Sequence, residues 1–143
     1  MLSLSMARHL KAAGLAWAPA LHDFFSVPDR GFDDRIFVIN DMSVDVELLK
    51  GRSIVTFNGT SEWALDYEMT TELVWLPTEA QLRETLEHRL WAELRPALSL
   101  VSALDTHQCM IRFQGQSLTF NAPDASEAYA AALLYILEQE PGP

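Results

Sequence analysis

Residues 53–76 read SIVTFNGTSEWALDYEMTTELVWL and contain the clearest turn signal of the chain. Asn58-Gly59 stands between two apolar runs, and a type I′ turn needs positive φ at both central residues, which this pair tolerates. A two-residue connection at this point places Ile54 opposite Trp63, so that the two side chains share one face of the sheet. The stretch therefore predicts a β-hairpin, and the rest of the fold is built outward from it.

Further strands are predicted where short apolar or alternating runs are bounded by turn-forming residues. Residues 43–49 are ambiguous, because their valines alternate as in a strand while their leucines suit a helical turn. Gly115 is expected in the tight turn between the last two strands. The predicted strands lie at residues 35–39, 72–76, 98–104, 107–113 and 116–120.

Two long helices are predicted in the second half of the chain. The first spans residues 78–94, because Thr78 and Gln81 form a capping box and Pro96 sets the end. The second spans residues 124–139, with Asp124 as the N-cap. Their apolar stripes are Leu82, Leu86, Leu90, Trp91 and Leu94 in the first, and Ala128, Tyr129, Ala132, Leu133, Ile136 and Leu137 in the second.

Two short helices are predicted near the N-terminus. Residues 4–13 follow the candidate N-caps Ser3 and Ser5, and Gly14 is placed to end this helix in a Schellman motif. Residues 17–25 contain Pro19, which favours the first turn of a helix. We expect an α+β fold, with a mainly antiparallel sheet covered by a layer of helices.

The length of 143 residues predicts a single domain, residues 1–143, that can bury a sizeable core. A weak seam near Pro77 would divide it into two lobes that share a sheet or a core. The single cysteine, Cys109, fits a reducing compartment. The first residues lack the pattern of a signal peptide, and the apolar run at 128–137 is shorter than the roughly 20 residues of a membrane span. We therefore expect a cytoplasmic protein.

The charge is strongly acidic: 10 Lys and Arg stand against 20 Asp and Glu, a formal net charge of −10. Phosphate backbones and anionic membranes attract clusters of basic residues, so binding to nucleic acid or to a membrane is not expected. A basic protein surface or a cationic ligand would suit this charge better. An acidic surface also serves simply to keep a protein in solution.

No motif assigns a reaction. His107 and Cys109 lie two residues apart on a predicted strand, but two ligands do not make a metal site. Cys109 as a nucleophile would need His9, His22 or His88 brought near by the fold. Neither phosphate-loop pattern occurs, so no nucleotide cofactor is indicated. We predict no catalytic, cofactor-binding or metal-binding residue.

Two groups of side chains are candidates for a binding patch. Carboxylates could gather at one face of the sheet, and partial burial of Glu62 would raise its pKa and suit acid–base work. Aromatic residues of the N-terminal segment could contact a partner, as large aromatics do at interfaces, or could form a lid over the core. The candidates are Asp33, Asp34, Asp41, Glu62 and Asp66, together with Trp17, Phe24 and Phe25.

Four stretches resemble a family of small bacterial proteins, of about 140 residues, that have no established function. They are DFFSVPDRGFDDRIFVINDM (23–42), FNGTSEWALD (57–66), WLPTEAQLRETL (75–86) and FNAPDASEAYAAALLYILE (120–138). Some members of that family carry a pilus-assembly label. None of the stretches is a catalytic signature, so the resemblance assigns no functional residue.

The sequence favours a non-catalytic interaction or scaffold protein that contacts a protein partner or another copy of itself. The alternative is a small enzyme or ligand-binding module that uses the clustered carboxylates around a pocket.

Overall fold

The computed structural model describes residues 1–28, 35–40, 44–49, 52–57, 67–69 and 72–140, with segments 44–49, 52–57 and 67–69 described by their backbone alone. These residues form three helices and nine strands, and the strands make three antiparallel sheets. The α+β prediction is confirmed, although the described strands form separate small sheets. The helices are α1 (Leu4–Ala12), α2 (Glu79–Arg89) and α3 (Ala125–Gln139); the strands are β1 (Phe24–Ser26), β2 (Phe37–Val38), β3 (Val44–Leu49), β4 (Arg52–Phe57), β5 (Tyr67–Met69), β6 (Val74–Leu76), β7 (Leu98–Ser102), β8 (His107–Phe113) and β9 (Gln116–Ala122).

The chain divides into two compact units. Met1–Leu15 and Pro77–Pro143 form the first unit, and Ala16–Leu76 forms the second. One boundary falls at Pro77, and the other falls after Leu15, where the sequence shows no seam. That residues 1–143 behave as one domain stays a prediction.

The first unit is organised around α3. This helix packs on β8 and β9 of the sheet β7-β8-β9, and α1 and α2 both pack against α3. Leu100, Cys109 and Phe120 are aligned across the three strands, so they share the face that the helix covers. The Tyr135 ring of α3 meets the Phe120 ring at a centroid distance of 5.8 Å. All six residues of the predicted α3 stripe are buried.

The ends of the three helices follow the sequence closely. Ser3 Oγ accepts a hydrogen bond from the Met6 amide, and Gly14, with φ of 102°, ends α1 in a Schellman motif. The Thr78 and Gln81 side chains each accept from the other's backbone amide, which completes the capping box of α2. The predicted caps are confirmed. They could be predicted because they depend only on residues close in sequence.

The second unit contains the sheets β2-β1-β6 and β3-β4-β5. The predicted hairpin register is wrong, because Ile54 pairs with Met69 and not with Trp63. The register of two strands is set by cross-strand contacts beyond the turn, and the turn residues alone do not reveal those contacts. The Asn58-Gly59 pair itself lies outside the described residues. The ambiguous segment at 43–49 forms β3, which pairs with β4 up to Leu49↔Arg52.

The helix predicted over 17–25 does not form, and a turn built on Asp23 takes its place. Asp23 Oδ2 accepts hydrogen bonds from Trp17 Nε1 at 2.9 Å and from the Ala20 amide at 3.0 Å. His22 adopts a φ of 74°, and its amide donates to the Ile39 carbonyl. The strand β1 then begins at Phe24. A side-chain acceptor that captures local amides competes with the helical ladder, and here it prevails.

Helix α2 ends at Arg89, earlier than the predicted Leu94. Trp91 and Leu94 are therefore not part of its buried stripe, whereas Leu82, Leu86 and Leu90 are fully buried. The chain turns after α2 because β7 has to pair with β8. The first hydrogen bond of this pairing runs from the Arg112 amide to the Ala97 carbonyl at 2.9 Å.

The hairpin between β8 and β9 contains a two-residue turn of the type that the sequence also predicts at Asn58-Gly59. Phe113 pairs with Gln116, and the residues between them, Gln114 and Gly115, have φ of 52° and 77°. Positive φ at both central positions is the signature of a type I′ turn. The prediction for Gly115 is confirmed.

Candidate interaction surface

The five predicted carboxylates cannot be placed, because Asp33, Asp34, Asp41, Glu62 and Asp66 lie outside the described residues. A shared site built from these acids therefore stays a prediction. The aromatic residues of the predicted binding patch, by contrast, lie within the described part of the second unit.

The aromatic segment of the predicted patch belongs to the core of the second unit. Phe25 is 0% exposed and clusters with Val27, Ile39 and Leu73, with Trp17 packed against them. The Trp17 ring lies 6.0 Å from the Phe25 ring, measured between centroids. The prediction that Phe25 belongs to a surface patch is therefore wrong. For Trp17, the alternative prediction of a lid over the core fits better.

Further ring contacts and strand pairings hold the aromatic side chains of this cluster in place. Trp17 stacks on Trp75 at 6.3 Å with an interplanar angle of 5°, and Phe25 stacks on Phe37 at 5.6 Å. Phe24 is half-buried and pairs with Val38 on one side and Leu76 on the other. The apolar burial of these rings is a sufficient reason for their presence.

Cys109 lies on the covered face of β8 and is fully buried. Burial disfavours the charged thiolate and raises the pKa of Cys109 to about 12. A nucleophilic cysteine needs a lowered pKa and an accessible sulfur, so this thiol is not an activated nucleophile. The neighbouring position on the same face, His107, places its Nδ1 2.8 Å from Ser102 Oγ. Burial also raises the pKa of Tyr129 on α3.

Exposed apolar side chains concentrate around β7, where no functional residue was predicted. Trp91 is 71% exposed, Leu94 is 74% exposed, Val101 is 55% exposed and Leu104 is fully exposed. We call these four residues the β7 surface. Single exposed apolar residues are ordinary, but the presence of several large ones within residues 91–104 makes this region a candidate for contact with another protein.

The elements around β7 fix where these side chains lie. Trp91 and Leu94 occupy the loop between α2 and β7, and Glu93 of that loop accepts a hydrogen bond from the Gln114 amide in the β8–β9 turn. Leu104 lies in the turn after β7, which the bond from the Ala103 amide to the Thr106 carbonyl closes. The β7 surface thus extends from one end of this edge strand to the other.

The charge near the β7 surface differs from that of the chain. Residues 91–122 contain two acids, Glu93 and Asp105, and two bases, Arg95 and Arg112, so their formal charge is zero, whereas the chain carries −10. Neutrality and exposed apolar side chains together suit contact with another protein. Sequence reasoning missed this surface because Trp91 and Leu94 continue the spacing of the α2 stripe.

The fold and the exposed side chains define a small α+β protein with an apolar, neutral surface along one sheet edge. No family model, no curated protein and no solved structure matches the chain. The resemblance of four stretches to a family of small bacterial proteins stays a prediction.

Two further observations concern the described part of the chain alone. Its side chains include no group of three or more His, Cys, Asp or Glu residues that could hold a metal ion. No helix within it is long and apolar enough to cross a membrane.

Proposed function

We propose that this protein is a non-catalytic interaction or scaffold protein of the cytoplasm that binds another protein through the β7 surface. The observation that carries the proposal is the exposure of Trp91, at 71%, beside Leu94 and the fully exposed Leu104. Tryptophan is the residue type most enriched among those that dominate binding energy at interfaces. Burying such side chains against a partner removes apolar area from water, which favours association.

This proposal keeps the function that the sequence favours but assigns it to other residues. The core position of Phe25 removes it from a contact surface, whereas Trp91 and Leu94 are open to solvent. The alternative of a small enzyme depends on carboxylates outside the described residues and stays a prediction.

The test is affinity capture after mild cross-linking, with Trp91→Ala and Leu94→Ser combined in one variant. Leu21→Ser is the matched control, because Leu21 is also an exposed leucine but lies in the second unit. We expect the wild type and Leu21→Ser to retain a stoichiometric partner, which can be an untagged copy of the chain. The double variant should lose it while keeping its circular dichroism spectrum.

Two outcomes would overturn the proposal. The first is a wild type that retains no stoichiometric protein and is a monomer in light scattering. The second is a double variant that captures the same partner as well as the wild type, since the β7 surface would then not be the contact.

A further inference from the structure

The strand β7 is an edge of the sheet β7-β8-β9, and among the described strands only β8 pairs with it. Its five residues, LSLVS, include no charged residue and no proline. An edge strand offers a row of backbone donors and acceptors to another strand, and proteins usually block such an edge with lysine, proline or a bulge. The sequence of β7 contains neither of those two blocking residue types.

The other edge of this sheet, β9, differs in its side chains. Its exposed positions are Gln116, Ser117, Thr119 and Asn121, which are all polar. In β7 the exposed positions are Ser99, Val101 and Ser102, so this strand adds one exposed apolar residue, and the exposed Leu94 and Leu104 lie on either side of it. Pairing at β7 would therefore bury apolar area as well as backbone hydrogen bonds, which makes it the better docking edge.

Charge argues that the occupant is a second copy of this chain. Two molecules that each carry −10 repel each other, and this repulsion opposes contacts between acidic surfaces. Residues 91–122 sum to zero, and an antiparallel pairing of two β7 strands sets Arg95 of one copy opposite Asp105 of the other, so unlike charges meet at both ends of the pairing. A contact of the same patch on both subunits is also self-limiting, because it closes into a dimer.

We propose that two copies pair through β7 in antiparallel orientation, with the two-fold axis at Leu100, to form one continuous six-stranded sheet. This inference rests on the proposed function and names the partner. The register places Ser99 opposite the second copy's Val101, and no charged residue enters the ladder. Leu104 then lies opposite the second copy's Pro96, at the end of the loop that carries Trp91 and Leu94. The exposed Leu104 of one copy thus comes next to the loop that carries the exposed Trp91 and Leu94 of the other.

The decisive variant is Val101→Lys, which puts an ammonium on the edge strand. In the dimer the two substituted residues would be diagonal neighbours on one face, where like charges repel. The matched control is Thr119→Lys, an exposed position on the opposite edge strand β9 of the same sheet. Sedimentation velocity between about 1 and 100 µM should show a dimer for the wild type and for Thr119→Lys.

For Val101→Lys we expect at least about a tenfold weaker dimer, which dissociates at concentrations where the wild type and Thr119→Lys remain dimeric. Circular dichroism and thermal unfolding check that both lysine variants fold. A wild type that stays monomeric at about 100 µM overturns the inference, and so does a Val101→Lys protein that dimerises as the wild type does.

A cysteine cross-link tests the register without weakening the edge. Residues directly opposed in antiparallel strands have Cα atoms about 4.5–5.5 Å apart, within the range of a disulfide. Leu100→Cys should therefore form an intermolecular disulfide on mild oxidation, whereas Thr119→Cys should not. Because Leu100 pairs with Cys109 in its own chain, both cysteine variants are made in a Cys109→Val background, which excludes an intramolecular disulfide. Absence of the Leu100→Cys cross-link, or an equal yield for Thr119→Cys, contradicts the register.

The inference and the proposed function fail in different ways. If the wild type is a monomer but captures a different protein through Trp91 and Leu94, the second copy is wrong as the occupant and the interaction function stands. If it is a monomer and retains nothing, both are wrong.

Discussion

Replacing Asp124 by alanine should weaken α3, the helix on which the first unit is built. Asp124 Oδ1 accepts hydrogen bonds from the amides of Ser126 at 2.7 Å and Glu127 at 3.3 Å. Loss of an N-cap acceptor costs about 1 kcal/mol, and loss of a negative charge beside a helix N-terminus costs about 0.3–1 kcal/mol. We expect the free energy of unfolding to fall by about 1–2 kcal/mol, because α3 contacts β8, β9, α1 and α2.

Urea unfolding followed by circular dichroism measures this change. With a slope of about 2 kcal/mol/M, the midpoint should drop by roughly 0.5–1 M. Asp124→Asn is the control, since asparagine keeps the acceptor but removes the charge, and it should cost only the charge contribution of about 0.3–1 kcal/mol. The amino group of Met1 lies 4.0 Å from Asp124, and this exposed ion pair adds little.

The reasoning is refuted if Asp124→Asn destabilises as much as Asp124→Ala, because charge and not capping would then be the cause. A midpoint that Asp124→Ala leaves unchanged would refute it as well. The loss in Asp124→Ala should persist at high salt, where an interaction between exposed charges would be screened.

Two further predictions follow from single residues of the sheet in the first unit. Gly115→Ala should lower the free energy of unfolding by about 1 kcal/mol in urea unfolding, because alanine is strained at a φ of 77°, while Gly115→Asn should cost less. Cys109 in the folded protein should resist thiol reagents at neutral pH. The pKa of Cys109 is about 12 in the folded protein and 9.0 in the unfolded chain, so the free energy of unfolding should be constant below pH 9 and decrease as the pH rises towards 12. Cys109→Val should reduce this decrease. An equal decrease in both proteins would contradict the attribution of the pH dependence to Cys109.

The parts of the fold that the sequence predicted correctly depend on neighbours in the chain. The capping box at Thr78, the Schellman end at Gly14 and the N-cap Asp124 each join residues two to five apart. The hydrogen-bonding groups and backbone angles that these motifs need are visible in a short window. The buried stripe of α3 was predictable for the same reason, since its spacing repeats along one helix face.

The errors arose where distant contacts decide the outcome. The register of β4 follows from its pairing with Met69 and its neighbours, which no turn signal contains. Likewise, Pro19 favours a helix start, but β1 pairs with β2 and with the distant β6, and the Asp23 carboxylate before it accepts hydrogen bonds from the Trp17 indole and the Ala20 amide.

The β7 surface shows why apolar spacing alone cannot separate a core from an interface. Leu90, Trp91 and Leu94 have spacing that fits one helix stripe, yet Leu90 is fully buried and the other two are open to solvent. The difference arises from the early end of α2, which follows from the pairing of β7 with β8 and from the bond between Glu93 and the Gln114 amide. Such contacts would keep Trp91 and Leu94 out of the core of one copy. Since an exposed tryptophan near an uncharged edge strand is unfavourable in water, the same contacts support the association that we propose.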